Sequence, residues 1–157
     1  MSSANNLHSV SYVDLDRYLG RWYVISHVPY FLENGKVGTS DNYARRPDGK
    51  LDAIFAFRKE SLTAPEKTWN GVAEITDPKT NAEWKVSFVW PISATYRVLE
   101  LDPDYRWAVV SNGNGKLVWV LARETSLPDA QYQDILRRVT AQGLDANKLV
   151  KVPQLDR

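Results

Sequence analysis

The sequence predicts an all-β fold: a single eight-stranded up-and-down antiparallel β-barrel with one C-terminal α-helix packed on its outside. Three observations predict it. Short segments alternate apolar and polar residues with period two, and turn residues separate them. One helical stretch follows the strands. Ahead of them, Asp14-Leu-Asp-Arg-Tyr-Leu19 forms a capped turn that Gly20 ends, and Gly20-Arg21-Trp22-Tyr23 opens the first strand. A tryptophan just inside a first strand needs a large cover, which is a floor across one end of a barrel.

The strands follow in order. Residues 21–30 put Trp22, Val24, Ser26, Val28 and Tyr30 on one face, with Tyr23, Ile25 and His27 on the other. Val37 to Arg46 places Thr39, Asp41 and Tyr43 together, and Pro47-Asp48-Gly49 turns it into Leu51–Arg58. Strands at 68–76 and 83–90 flank Asp77–Asn81, and Pro91 stops the second. A pair at 96–101 and 105–111 flanks Asp102-Pro103-Asp104. Asn112-Gly-Asn-Gly115 leads into 117–123, a strand apolar on both faces, which needs outside cover. Ser126-Leu-Pro-Asp129 has the form of a capping box, and Tyr132, Ile135, Leu136 and Val139 make the helical stripe that supplies the cover. Residues 148–152 add a short terminal strand. Residues 1–12 read as a flexible N-terminal segment and 13–157 as the barrel domain.

Composition removes several functions. Net charge is +1 over 157 residues, so nothing draws the chain to nucleic acid. There is no cysteine, which excludes disulfides, thiolate nucleophiles and cysteine-based metal sites. With two histidines, no metal site and no cofactor is expected. His27 falls on the outward parity of its strand, so no catalytic residue is assigned. The N-terminus lacks the basic and apolar regions of a signal peptide and any cysteine for a lipid anchor. Six Trp, eight Tyr and four Phe suggest a cavity lined with rigid rings.

The pattern resembles the lipocalin family, and within it the bacterial outer-membrane and apolipoprotein D-like branch. Gly20-x-Trp22-Tyr23 matches its first motif, Asp104-Tyr105 loosely its second, and Arg123, closing Leu121-Ala122-Arg123, its third. The resemblance implies that Gly20, Trp22, Tyr23 and Arg123 form the barrel floor, with the Arg123 guanidinium against the Trp22 indole. It also implies binding and carriage or storage of a small lipophilic ligand: a fatty acid, lysophospholipid or similar amphiphile. The alternative is a lipid or pigment isomerase or de-epoxidase using the same cavity. Other implied properties are a monomer or weak homodimer, with room for peripheral membrane association. The location is periplasmic or outer-membrane-associated if an upstream signal was removed, and cytoplasmic otherwise.

Anchoring the register on Trp22 and Arg123 gives the expected ligand-binding set. The first three strands contribute Val28, Tyr30, Tyr43, Ala53, Phe55 and Phe57. The next two contribute Trp69, Ala73, Val86, Phe88 and Trp90, and the last three Tyr96, Val98, Ala108 and Trp119. Leu99 and Leu101 turn outward under the helix, and Asp41 is the one acid of inward parity, expected near the wet mouth. Loops 31–37, 58–67, 91–95 and 112–116 make the open end. There Lys36, Arg58, Lys59, Lys67 and Lys116 favour an anionic head group against Glu33, Glu60 and Glu66.

Overall fold

The strand that closes the sheet is β1 (Gly20–His27), because it pairs along both edges. A one-turn helix, α1 (Leu15–Tyr18), precedes it, and the Asp14 carboxylate caps that turn by accepting from the Asp16 N–H. The structure is a computed structural model and describes residues 7–89 and 92–155. The strands β2 (Lys36–Arg45), β3 (Leu51–Lys59), β4 (Lys67–Ile75) and β5 (Glu83–Val89) follow β1. Next come β6 (Ile92–Leu101), β7 (Trp107–Ser111) and β8 (Val118–Ala122), then α2 (Asp129–Ala141), a 3-10 turn at Ala146–Lys148 and β9 (Val150–Lys151). Each of β2 to β8 pairs antiparallel with the next, and β1 pairs with both β8 and β2, so eight strands close into a barrel.

β1 and β2 pair only over Gly20–Tyr23. Beyond Tyr23 the C-terminal segment fills the seam. β9 pairs with Ser26 and His27, and the Gly38 N–H donates to Pro153 O. Gln154 Nε2 donates to Val24 O (2.8 Å) and Thr39 O (2.9 Å). These contacts satisfy backbone groups that the parting of the two strands leaves without ladder partners.

Two apolar clusters lie on the two sides of the wall. The inner one holds Trp22, Val24, Tyr43, Trp84, Val98 and Leu121 among others. The outer one joins Ile25, Leu99, Val109, Val118 and Val120 to Tyr132, Ile135 and Val139 of α2. Residues directly opposite in a ladder share a face, so the pairing defines inner rows. Trp22–Asp41–Phe55–Trp69 is one, and Val98–Val110–Trp119–His27 is another.

Four expectations need correction. A register shift between Val24 and Ser26 inverts the alternation beyond it, so His27 turns in and Val28 packs on the outer cluster. A second shift between Val98 and Glu100 turns Leu101 against the inner cluster, while Leu99 stays outside. β6 begins at Ile92, paired with Val89, so 92–95 is strand and not a rim loop. The capping box at 126–129 does not form: Pro128 is the N-cap of α2, no side chain caps it, and its carbonyl accepts from the Tyr132 N–H. The start of the chain is partly anchored as well. Leu7 is buried in the outer cluster, and the Val10 N–H donates to Val98 O.

Candidate functional site

The closed end is built around one arginine. Trp22 is fully buried, and its Nε1 donates to Tyr18 O at 2.8 Å. The Arg123 guanidinium carbon lies 3.7 Å from the Trp22 ring centroid. Its nitrogens donate to the carbonyls of Arg17, Tyr18, Leu19, Arg21 and Tyr105. Burial holds the Arg123 pKa below the usual guanidinium range. Gly20 has φ +102°, a backbone that disfavours a side chain, where the chain turns from α1 into β1. Tyr23 faces the outer wall and lines a shallow surface cleft with Arg21 and Ser40, so it is not part of the floor plate.

Above Trp22, rings close the lower barrel. The Tyr18 and Tyr96 hydroxyls are 2.6 Å apart, and Tyr96 stacks on Trp84 at 4.6 Å. Tyr43 stands edge-on to both Trp84 and Tyr96. Burial pushes the Tyr43 and Tyr96 hydroxyls well above the usual tyrosine range. Ala53, Ala73 and Ala108 are buried in this inner cluster, with Val98 in it and Val86 packed against it.

Toward the open end the lining changes. Phe55 and Phe57 stack at 5.5 Å, and Trp69 stands 5.7 and 5.1 Å from them. Phe88 lies over Gly71, where a Cβ would come within 2.7 Å of the Phe88 ring. Only glycine lets that ring approach the opposite strand. Trp69, in the inner row opposite Phe55, keeps 37% of its surface exposed, and Phe88, whose ring lies over Gly71, keeps 39%. Trp90 lies outside the described residues.

The third part of the interior is polar. The β1–β2 loop folds Glu33 into the barrel, where it is 6% exposed and Oε2 accepts from Trp119 Nε1 at 2.9 Å. Tyr30 stands edge-on to Trp119, and burial together with the Glu33 carboxylate pushes its hydroxyl well above the usual range. His27 Nδ1 lies 3.4 Å from Glu33 Oε1, and neither atom makes a hydrogen bond. The buried Thr39 hydroxyl is also without a partner. Burial, and then the Glu33 carboxylate, push Asp41 up to about 8.

Besides Val28, Leu101 and Tyr23, the sequence pattern misplaced Glu33 and His27. Glu33 reads as a rim counter-charge in the 31–37 loop, and a bulge leaves no composition signature. The rim cations are partly engaged. Lys36 Nζ donates to Leu32 O and lies 4.8 and 5.1 Å from the Trp69 and Phe57 rings. Arg58 donates to Ala64 O and lies 3.9 Å from Glu66. Lys59, Lys67 and Lys116 are exposed. Among the described residues no three ligating side chains stand close enough to hold a metal ion.

Comparison with known proteins agrees with this architecture. Residues 13–154 match the lipocalin-like domain family. The outer membrane lipoprotein Blc of Citrobacter freundii is 33% identical over 145 residues, covering 92% of this chain and 81% of the relative. Temperature-induced lipocalin-1 of Arabidopsis thaliana is 28% identical over 173 residues, covering 99% and 87%. Insecticyanin from the tobacco hornworm superposes with a TM-score of 0.75 at 18% identity, covering 95% of this chain and 85% of that one. With its closed eight-stranded barrel, its Arg123–Trp22 floor and a family match over nearly its whole length, this chain belongs to the lipocalin family, whose members bind small hydrophobic ligands.

Proposed function

We propose that the protein binds and carries a single-chain lipophilic amphiphile inside the barrel. The exposure that Trp69 retains in the inner row, with the Phe88 ring over Gly71 nearby in the sheet, supports this reading. Large inward rings in a filled barrel would be covered. Here, with Phe55 and Phe57, they offer an apolar wall above a sealed floor. Each acyl methylene buried there is worth about 0.8 kcal/mol, so a long chain reaches micromolar affinity without special chemistry. Relatives named as outer membrane lipoproteins support a location at a bacterial cell envelope.

The test is a tryptophan-fluorescence titration with a series of single-chain amphiphiles. Binding should tighten about fourfold with each added methylene until the barrel is full. Trp69→Ala and Phe57→Ala should flatten that dependence. No response to any chain length would overturn the reading.

A further inference from the structure

We propose that the barrel interior holds a receptor for a cationic head group, built from Glu33 and Asp41 with His27 beside them, and that it selects amphiphiles ending in an ammonium. The inference rests on the proposed ligand-carrying function and names the head group within it.

The geometry places two carboxyls where a barrel for simple hydrocarbons has no use for them. Asp41 stands in the inner row between Trp22 and Phe55, on the boundary of floor and aromatic wall. Glu33 reaches in from the β1–β2 loop and is anchored by the Trp119 indole N–H. Burying such groups without partners is costly. Yet Glu33 Oε1 and His27 Nδ1 face each other only at 3.4 Å, without a hydrogen bond, although Glu33 is 6% and His27 8% exposed. Unspent hydrogen-bonding capacity of this kind is what a ligand donor would fill.

Among the described residues, two cations of the interior, Lys36 and Arg123, are engaged elsewhere. Lys36 is held at the mouth by Leu32 O and two rings. Arg123 is held beneath Trp22 by backbone carbonyls. The imidazole of His27 can offset Glu33 when protonated. On Asp41, burial and Glu33 act in the same direction, and no cation opposes them. The ligating groups do not converge tightly enough for a metal ion. A larger donor is required, and an alkylammonium supplies three N–H bonds and one positive charge. The Phe55 ring, directly across the ladder from Asp41, favours a cation as well. A ligand carboxylate would meet the Glu33 carboxylate in a low-dielectric interior, so the interior opposes the rim lysines over anionic head groups.

Proton balance gives the proposal a second readout. Asp41 holds its proton up to about pH 8. An ammonium beside it favours the carboxylate, and the displaced proton passes to the buffer. The other groups facing this space are Glu33 and Tyr30 from the loop, His27 from β1, Tyr43 from β2 and Tyr18 from α1.

The experiment is calorimetric titration of the full chain with dodecylamine, dodecanol and dodecanoate, in two buffers of different ionisation enthalpy. At neutral pH the amine should bind about tenfold tighter than the alcohol, with the carboxylate weakest, because charge-assisted hydrogen bonds exceed neutral ones. Amine binding should release protons, and alcohol binding should not. Asp41→Asn and Glu33→Gln should each cut amine affinity several-fold and alcohol affinity far less, and Asp41→Asn should abolish the proton release. Equal affinity for amine and alcohol, or variants that weaken both alike, would overturn the receptor and leave the carrier standing. Failure of all three probes to bind would overturn both.

Discussion

Arg123 carries two jobs on one side chain: its guanidinium stacks on Trp22 at 3.7 Å while it serves the carbonyls at the end of α1. Those carbonyls have no partner within so short a helix, and a planar fork can reach several at once. The floor is therefore a hydrogen-bonded plate as well as an apolar one. Trp22→Ala should cost roughly 3–5 kcal/mol by emptying the centre of the inner cluster. Arg123→Lys keeps the charge and loses the fork, and should cost about 1–3 kcal/mol. Urea midpoints measure both, and an unmoved midpoint for Trp22→Ala would contradict the floor.

The Tyr132 hydroxyl donates to Ser26 Oγ at 2.8 Å in the buried contact between α2 and β1. Ser26 points outward because of the register shift after Val24. Tyr132→Phe should cost about 1–2 kcal/mol, since it strands a buried hydroxyl. Combined with Ser26→Ala the losses should be clearly less than additive in a double-mutant cycle. Additive losses would mean that the two hydroxyls do not meet. Ligand selectivity should be unchanged, because this contact lies on the outer wall.

Strand alternation carried the strand order, because period-two burial is written directly into residue type, while the Trp22–Arg123 floor followed from the family resemblance. Trp22, Phe55, Trp84 and Val98 all lie in or against the interior that their alternation implies. What alternation does not encode is where it breaks. Two residues against one between Val24 and Ser26 exchange the faces of His27 and Val28, and nothing in Val24-Ile25-Ser26 signals it. Glu33 was illegible for another reason. Its position depends on a tertiary bond to Trp119, 86 residues away, while its local sequence, Leu32-Glu33-Asn34-Gly35, reads as a turn between strands. The fold was therefore readable from the sequence, whereas the polar part of the candidate site required the structure.

The seam between β1 and β2 hangs on Gln154, whose amide nitrogen bridges Val24 O and Thr39 O. Gln154→Ala should cost about 1–2 kcal/mol and speed amide hydrogen exchange near β9. Gln154→Glu should be worse at neutral pH, because it sets a carboxylate against two carbonyl oxygens. That extra loss should shrink as the pH falls through the carboxylate range and the new group regains a donor. Equal exchange rates in wild type and Gln154→Ala would show that the C-terminal segment does not hold the seam.

Asp41 should make the protein lose stability as the pH rises. Its folded-state pKa is pushed up to about 8 by burial and by Glu33, whereas an unfolded aspartate titrates near about 3.9. Between these values the folded state keeps a proton that the unfolded state has released, so stability falls with pH across the window. Below about pH 4 both states are protonated, and above about pH 8 both are ionised, so the contribution is flat outside it. Asp41→Asn removes this term. Its urea midpoint should gain on wild type steadily from about pH 4 to about pH 8 and then run parallel. Glu33→Gln should narrow the window from its upper end, because one of the two causes is gone. Carboxyl carbon NMR on Asp41 reads the same titration directly. A midpoint near the ordinary aspartate range would mean that Asp41 faces water, and would remove the carboxyl on which head-group selection rests.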